Sequence, residues 1–335
     1  AYEKVSKDVV QYKGKAKTAD YALYKLDPDY AKLVYYLRGS NNASIDDVFL
    51  QLGDNLSYLE AMLMSSLYDS DSYGKLLNYL DGAGTMSLKG RDCEEFLRLN
   101  LNTYYPDLGD VEYSVEELDP DTAPSTVIAY YWPSPVDNHN QNIIRTNPNN
   151  MDDDFKRYGT LAHEGFPGHL YQHVYYYRSN PHNFRSVISF IGYTEGWACN
   201  ASYYAYQYSG IDDEYAAAAL SFEHDDYFLL YSLIDIGVNY YGWSTKDIVK
   251  YFKDDPLFSI GTSDAEELTD YLIEMPGVFC SYGLGFSSFL TLQEKTKTAM
   301  GEKFDYISYH EALLKNGPLP FSVLQTAVDE YIGGY

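Results

Sequence analysis

Apolar residues recur at helical spacing over most of the chain. Asp27-Pro28 places a capping carboxylate before a proline at the first helical position, and Tyr30, Leu33, Val34 and Leu37 then fall on one face. Gly39-Ser-Asn-Asn breaks the pattern. Ser44 caps a second helix that carries Val48, Phe49, Leu52, Leu56, Leu59 and Met62. A further helical stretch carries Phe96, Leu97, Leu99 and Leu101, so residues 1–105 read as helical.

From about Asp110 to Asn147 the period changes from 3.6 to 2. Val111–Val115 alternates, Thr126–Trp132 is rich in β-formers, and Asn142–Thr146 is a third short strand, with Pro and Asn in the gaps. This predicts a small antiparallel sheet. After Asn150 the helical period returns to the end: 155–164, 169–178, about 184–208, about 214–240, a short helix opened by Ser244-Thr-Lys-Asp247, then 262–274, stopped by Pro276-Gly277, and two last helices at about 303–315 and 320–332. No repeat and no linker of more than a few residues divides the chain. The expected fold class is mainly α, formally α+β: one unit over 1–335, with 1–105 helical, 110–147 a small sheet and 150–335 helical.

Composition narrows the function. The formal charge is 24 − 49 = −25 and the sequence pI is about 4.4. Such a surface repels phosphate backbones, which argues against nucleic-acid partners. With 45% hydrophobic and 17% aromatic residues the charge does not signal disorder. Cys93, Cys199 and Cys280 are far apart, which disfavours a disulfide framework or a thiolate metal site. No apolar run reaches membrane-spanning length. The 38 tyrosines read as compositional drift or as an aromatic surface for a carbohydrate or peptide. Ala1-Tyr-Glu-Lys starts in mid-element, which points to a fragment of a longer chain. That start and the acidic surface suit an extracytoplasmic protein lipid-anchored through a preceding segment; a cytoplasmic enzyme fits the same composition.

The chemistry centres on His163-Glu164-Gly-Phe-Pro167-Gly168-His169. A hydrolytic zinc takes about three protein ligands and keeps one position open, while a nearby carboxylate that is not a ligand accepts a proton from water. The usual spacing, H-E-x-x-H, puts both histidines on one helix face; here they are six apart, and a regular helix would turn them about 120° apart. Either a 3₁₀-like tightening or a break at Pro167-Gly168 followed by a restart would realign them. His169 and His173, four apart, are a competing ligand pair that needs no distortion. Glu195, in the otherwise apolar 187–199 stretch, is the best third ligand, because a buried carboxylate there needs a partner.

At this point the sequence resembles the bacterial family catalogued as domain of unknown function 885, which groups with gluzincin-like zinc metallopeptidases. His163-Glu164…Pro167-Gly168-His169 with Gln172 matches its H-E-x-x-P-G-H-x-x-Q, and Glu195-Gly-Trp-Ala its E-G-W-A. Asp235-Ile-Gly…Gly242-Trp-Ser, Pro276-Gly…Tyr282…Gly285 and the segment from Phe304 to Pro320 match three further blocks, together covering about 160–332. The resemblance implies a zincin-like helical peptidase binding one zinc (Zn2+) per chain through His163, His169 and Glu195, with Glu164 as general base. Two positions depart from many relatives: Asn239 stands where they have His, and Val278 where they have Gln.

Three further roles are expected. Tyr282 would donate to the oxyanion beside zinc. Asp235 would orient a ligand histidine. Asn147, at the end of the last strand, would hold the backbone of an extended peptide. The expected activity is peptide hydrolysis by metal-activated water. The alternatives are a zinc hydrolase acting on a non-peptide amide or ester, and a peptide-binding protein with a structural or vestigial metal site.

Overall fold

The computed structural model describes residues 18–82, 88–135, 137–150, 152–253 and 257–334; the first part of the stretch read as helical, residues 1–17, lies outside them. Helix α1, Pro28–Gly39, begins as expected: Asp27 accepts the N–H groups of Asp29 and Tyr30. Its rotation differs from expectation. Ala31 and Tyr35 face the core, while Tyr30, Leu33 and Leu37 are 51%, 49% and 59% exposed. The cause is polar: the Tyr35 hydroxyl reaches the buried Asp235 carboxylate at 2.7 Å, which outweighs the count of apolar side chains on the other face. Helix α2, Ile45–Tyr68, is capped by Ser44 and buries Val48, Leu52, Leu56, Leu59 and Leu63. Helices α3, Ser70–Gly82, and α4, Gly90–Leu99, complete the first helical part.

The small sheet contains β1, Tyr113–Glu117; β2, Ala129–Trp132; and β3, Asn142–Thr146, in the order β1-β3-β2. The expected antiparallel arrangement holds for β2 on β3 only; β1 pairs with β3 in parallel, Val115 opposite Ile144. The chain leaves β1, crosses to form β2 on the far side, and returns through the centre. Side-chain alternation marks strands but carries no direction, so the sequence could not distinguish the two pairings. Among the described residues β2 pairs with β3 alone and forms one edge of the sheet.

The second helical part comprises α5, Asp154–Glu164; α6, His169–Arg178; α7, Ile191–Gln207; α8, Glu214–Ile236; α9, Thr245–Lys253; α10, Thr262–Glu274; α11, Val278–Met300; α12, Tyr306–Asn316; and α13, Phe321–Gly333. A π-helical turn, Gly237–Tyr241, follows α8. Helix α11 crosses α7, and α8 packs between α2 and α11. At the α7–α11 crossing the backbones touch: a Cβ on Gly196 would lie 2.3 Å from the Gly285 carbonyl carbon, so only glycine permits this approach.

Many tyrosines belong to this core. Tyr158, Tyr193 and Tyr206 are fully buried, and their hydroxyls donate to the carbonyls of Ala205, Leu313 and Phe155. They pack as rings while satisfying polar atoms at helix contacts. Among the described residues no helix is long and apolar enough to cross a membrane.

Candidate metal centre

Helix α5 ends on the motif. Gly165 N–H makes its last bond, to Leu161 at 2.8 Å; the chain then turns through Gly165-Phe166-Pro167-Gly168, and α6 restarts at His169. Of the two geometries that could realign the histidines, the chain uses the break and restart. The turn folds back on α5, with Gly168 N–H donating to Ala162 O at 3.0 Å, and a Cβ on Gly168 would lie 1.8 Å from His163 O. Trp197 Nε1, from α7, holds the turn by donating to Pro167 O at 2.9 Å.

This brings the two imidazoles together, ring centres 4.7 Å apart and planes at 88°. Donor atoms of His163, Glu164 and His169 lie within 4.8 Å of one another. The α7–α11 crossing carries Glu195 and Tyr282 to the same place. Glu195 Oε2 stands 3.4 Å from His163 Nε2 and 3.3 Å from His169 Nε2. Those separations can be tested against zinc. Donors about 2.0–2.1 Å from a tetrahedral ion lie about 3.3–3.4 Å apart, whereas a charge-assisted N–H···O bond spans about 2.7–2.9 Å. The two separations from Glu195 Oε2 match the edge of such a donor shell.

Burial alone would lower the His169 pKa, but the Glu195 carboxylate outweighs it and raises it to about 9. Burial alone would raise Glu195; the facing His169 and hydrogen bonding to both imidazoles outweigh that and hold its carboxyl below the usual range. One Glu164 oxygen accepts the Tyr131 N–H at 2.8 Å. Tyr282 lies over the His163 ring, centres 6.2 Å apart, and stacks on Phe228 at 4.7 Å. Burial and the charge on Glu195 push its phenol upward, so it stays a donor.

All five residues line one cleft of about 730 Å³, walled by β2 and the loop before it, by α6 and by Tyr227 and Phe228. Gln172 lies in this wall, buried, its Nε2 enclosed with no hydrogen-bond partner among the described residues. His173 lies there too, but Ser134 Oγ takes its Nε2 at 2.8 Å, so His169 pairs with His163 and Glu195 rather than with His173.

Two expected residues sit elsewhere. Asp235 accepts from Tyr35, Asn239 and Gly277 N–H, bracing α1, α8 and the start of α11 rather than a histidine. Asn239 completes that buried network by also meeting Leu23 and Leu272. Asn147 is buried, and its amide holds the carbonyls of Pro124 and Val127. It shapes the loop before β2 and does not line the cleft. The sequence reading missed the backbone N–H of Tyr131, the clamp from Trp197, and Glu94, whose only signal is an acid in the Cys93–Leu97 apolar register of α4.

A family model described as "Bacterial protein of unknown function (DUF885)" matches residues 92–328, which include every residue of the centre. No curated protein matches. Several solved structures share the fold, and two illustrate it. One, a "putative lipoprotein" from Colwellia psychrerythraea, has a TM-score of 0.73 at 19% identity, covering 100% of this chain and 60% of its own. The other, a "putative lipoprotein of unknown function" from Shewanella oneidensis, has a TM-score of 0.62 at 15% identity, covering 97% and 63%. The chain thus spans about three-fifths of the length of each.

Proposed function

The chain belongs to the bacterial family of unknown function DUF885, and we propose that it is a zincin-like, zinc-dependent peptidase. The observation that carries this reading is the position of Glu195 Oε2, at tetrahedral-edge distance from both histidine Nε2 atoms. Zinc held by His163, His169 and Glu195 would supply Lewis acidity toward a substrate carbonyl and its attacking water.

The remaining steps belong to this chain's own side chains. Glu164 accepts the proton of the attacking water and returns it to the leaving amine. Tyr282 donates its phenolic hydrogen to the oxyanion as the carbonyl carbon becomes tetrahedral. Gln172 lines the same cleft, beside the groups that would meet the substrate. The position of β2 at the edge of the sheet supports a peptide as substrate. Tyr131 directs its N–H toward Glu164, and Ala129, two residues earlier on the same strand, directs its backbone groups to the same side, within the cleft wall. An extended segment can pair there by strand addition. The relatives described as lipoproteins support an extracytoplasmic location.

One observation favours a different reading. Glu164 lies close enough to both histidines to complete a closed four-donor site, as structural zinc prefers. Its bond to Tyr131 N–H argues against that role. Glu164→Gln separates the two: a base gives lost peptide hydrolysis with zinc retained, and a ligand gives lost zinc. Hydrolysis that survives the substitution contradicts the assignment of the base.

A further inference from the structure

Glu94 has no part in the chemistry above, yet it lies directly beneath the motif. It comes from the buried face of α4, beside Cys93 and Leu97, and is fully buried. Its Oε2 accepts the N–H of Phe166 at 3.3 Å, in the middle of the four-residue break. Its Oε1 is enclosed with no hydrogen-bond partner among the described residues. The neighbouring glycine is shaped around it: a Cβ on Gly165 would lie 1.9 Å from Glu94 Oε2 and 2.4 Å from Cδ and Oε1. The carboxyl therefore occupies the space that any side chain at 165 would take.

An ionised carboxylate with one N–H donor would be costly in such a place. Burial pushes the Glu94 carboxyl well above the usual range, the Phe166 N–H offsets this only in part, and the charge of nearby Glu164 adds to it. We propose that Glu94 is a positioning residue for the metal centre: its carboxyl fills the space at Gly165, accepts the Phe166 N–H, and fixes the break that presents His169 to His163 and Glu195. Fixing that turn matters because the alignment of ligands six residues apart depends wholly on it. Supporting groups of this kind are worth about 10–100-fold in metal affinity.

The metal readout rests on the zinc reading, so a second readout is independent of it. In the full chain, Glu94→Gln keeps size and an acceptor, Glu94→Met keeps size alone, and Gly165→Ala attacks the contact from the other side. Zinc affinity is measured by chelator competition, and exchange of the Phe166 amide hydrogen is followed in the metal-free protein. Glu94→Gln should hold zinc within about threefold of wild type and leave Phe166 protected. Glu94→Met and Gly165→Ala should lose about tenfold or more in affinity and speed Phe166 exchange by a similar factor. The proposal is overturned if Glu94→Met, or Gly165→Ala where Glu94→Met fails to fold, matches wild type, or if Glu94→Gln is as impaired as Glu94→Met, since size and an acceptor then do not suffice. A wild-type chain that binds no zinc refutes the zinc reading alone; Phe166 exchange still decides the role of Glu94.

Discussion

Glu164 Oε2 accepts the backbone N–H of Tyr131 at 2.8 Å, tying the last residue of α5 to the edge strand β2. The candidate base and the strand that would hold a peptide are thus one rigid unit. On the proposed peptidase reading, a substrate carbonyl aligned by the strand would arrive in fixed relation to Glu164, and such positioning lowers a barrier.

Tyr282 faces the same point from α11. Replacing it with Phe keeps the stack on Phe228 but removes the only atom that can donate. The expected result is a fall in kcat of about 10²–10³-fold, little change in KM, and unchanged zinc content. Steady-state kinetics on a peptide substrate, paired with metal analysis, checks this; a change confined to KM assigns the hydroxyl to ground-state binding instead.

The break should tolerate no side chain at Gly168. A Cβ there would lie 1.8 Å from the carbonyl of His163, so Gly168→Ala must push the turn off α5 and separate the ligands. It should lower zinc affinity by at least tenfold and destabilise the fold by about 1–3 kcal/mol. Gly53→Ala is the control: a Cβ there meets nothing within 4 Å, in the middle of α2, and should stabilise by about 0.5–1 kcal/mol. Urea titration of both variants tests the contrast in sign.

His310 sets an acid limit on the fold. It is fully buried against Tyr105, with Nδ1 2.6 Å from Tyr104 O, and burial lowers its pKa from 6.5 to about 4. The unfolded chain takes up this proton below pH 6.5, whereas the folded chain resists until about pH 4. The contribution is therefore complete above pH 6.5 and lost as pH falls toward 4, to an extent of about 3 kcal/mol. His310→Gln should show a shallower loss of stability between pH 6.5 and 4 than wild type, and parallel curves would contradict this.

Metal uptake should release protons. The Glu195 carboxylate holds the His169 pKa at about 9 in the metal-free site, whereas a ligand imidazole must be neutral. At pH 7.5 zinc binding should expel about one proton. Calorimetry in buffers of different ionisation enthalpy measures it, and a heat independent of buffer would contradict the ion pair.

The sequence carried the site further than the fold. His163, Glu164, His169 and Glu195, singled out by residue type and spacing, do come together in one cleft, and the six-residue spacing does fall on a broken helix. Asp235 and Asn147 were misplaced for a shared reason: each is a buried polar side chain whose partners are groups remote in sequence, which no local pattern reveals. The outward rotation of α1 and the parallel β1–β3 pairing escaped because both depend on tertiary contacts, the Tyr35–Asp235 bond and the crossover to a central β3. Glu94 and the Trp197–Pro167 contact were hidden because each acts on the backbone of the turn rather than on a ligand.

The most direct test is the metal content of the purified chain, compared with that of Glu195→Ala and Glu164→Gln. The geometry predicts about one zinc per chain in wild type and in Glu164→Gln, and little in Glu195→Ala. A wild-type chain without zinc after loading, or zinc that survives removal of the Glu195 carboxylate, would contradict the metal centre on which the account depends.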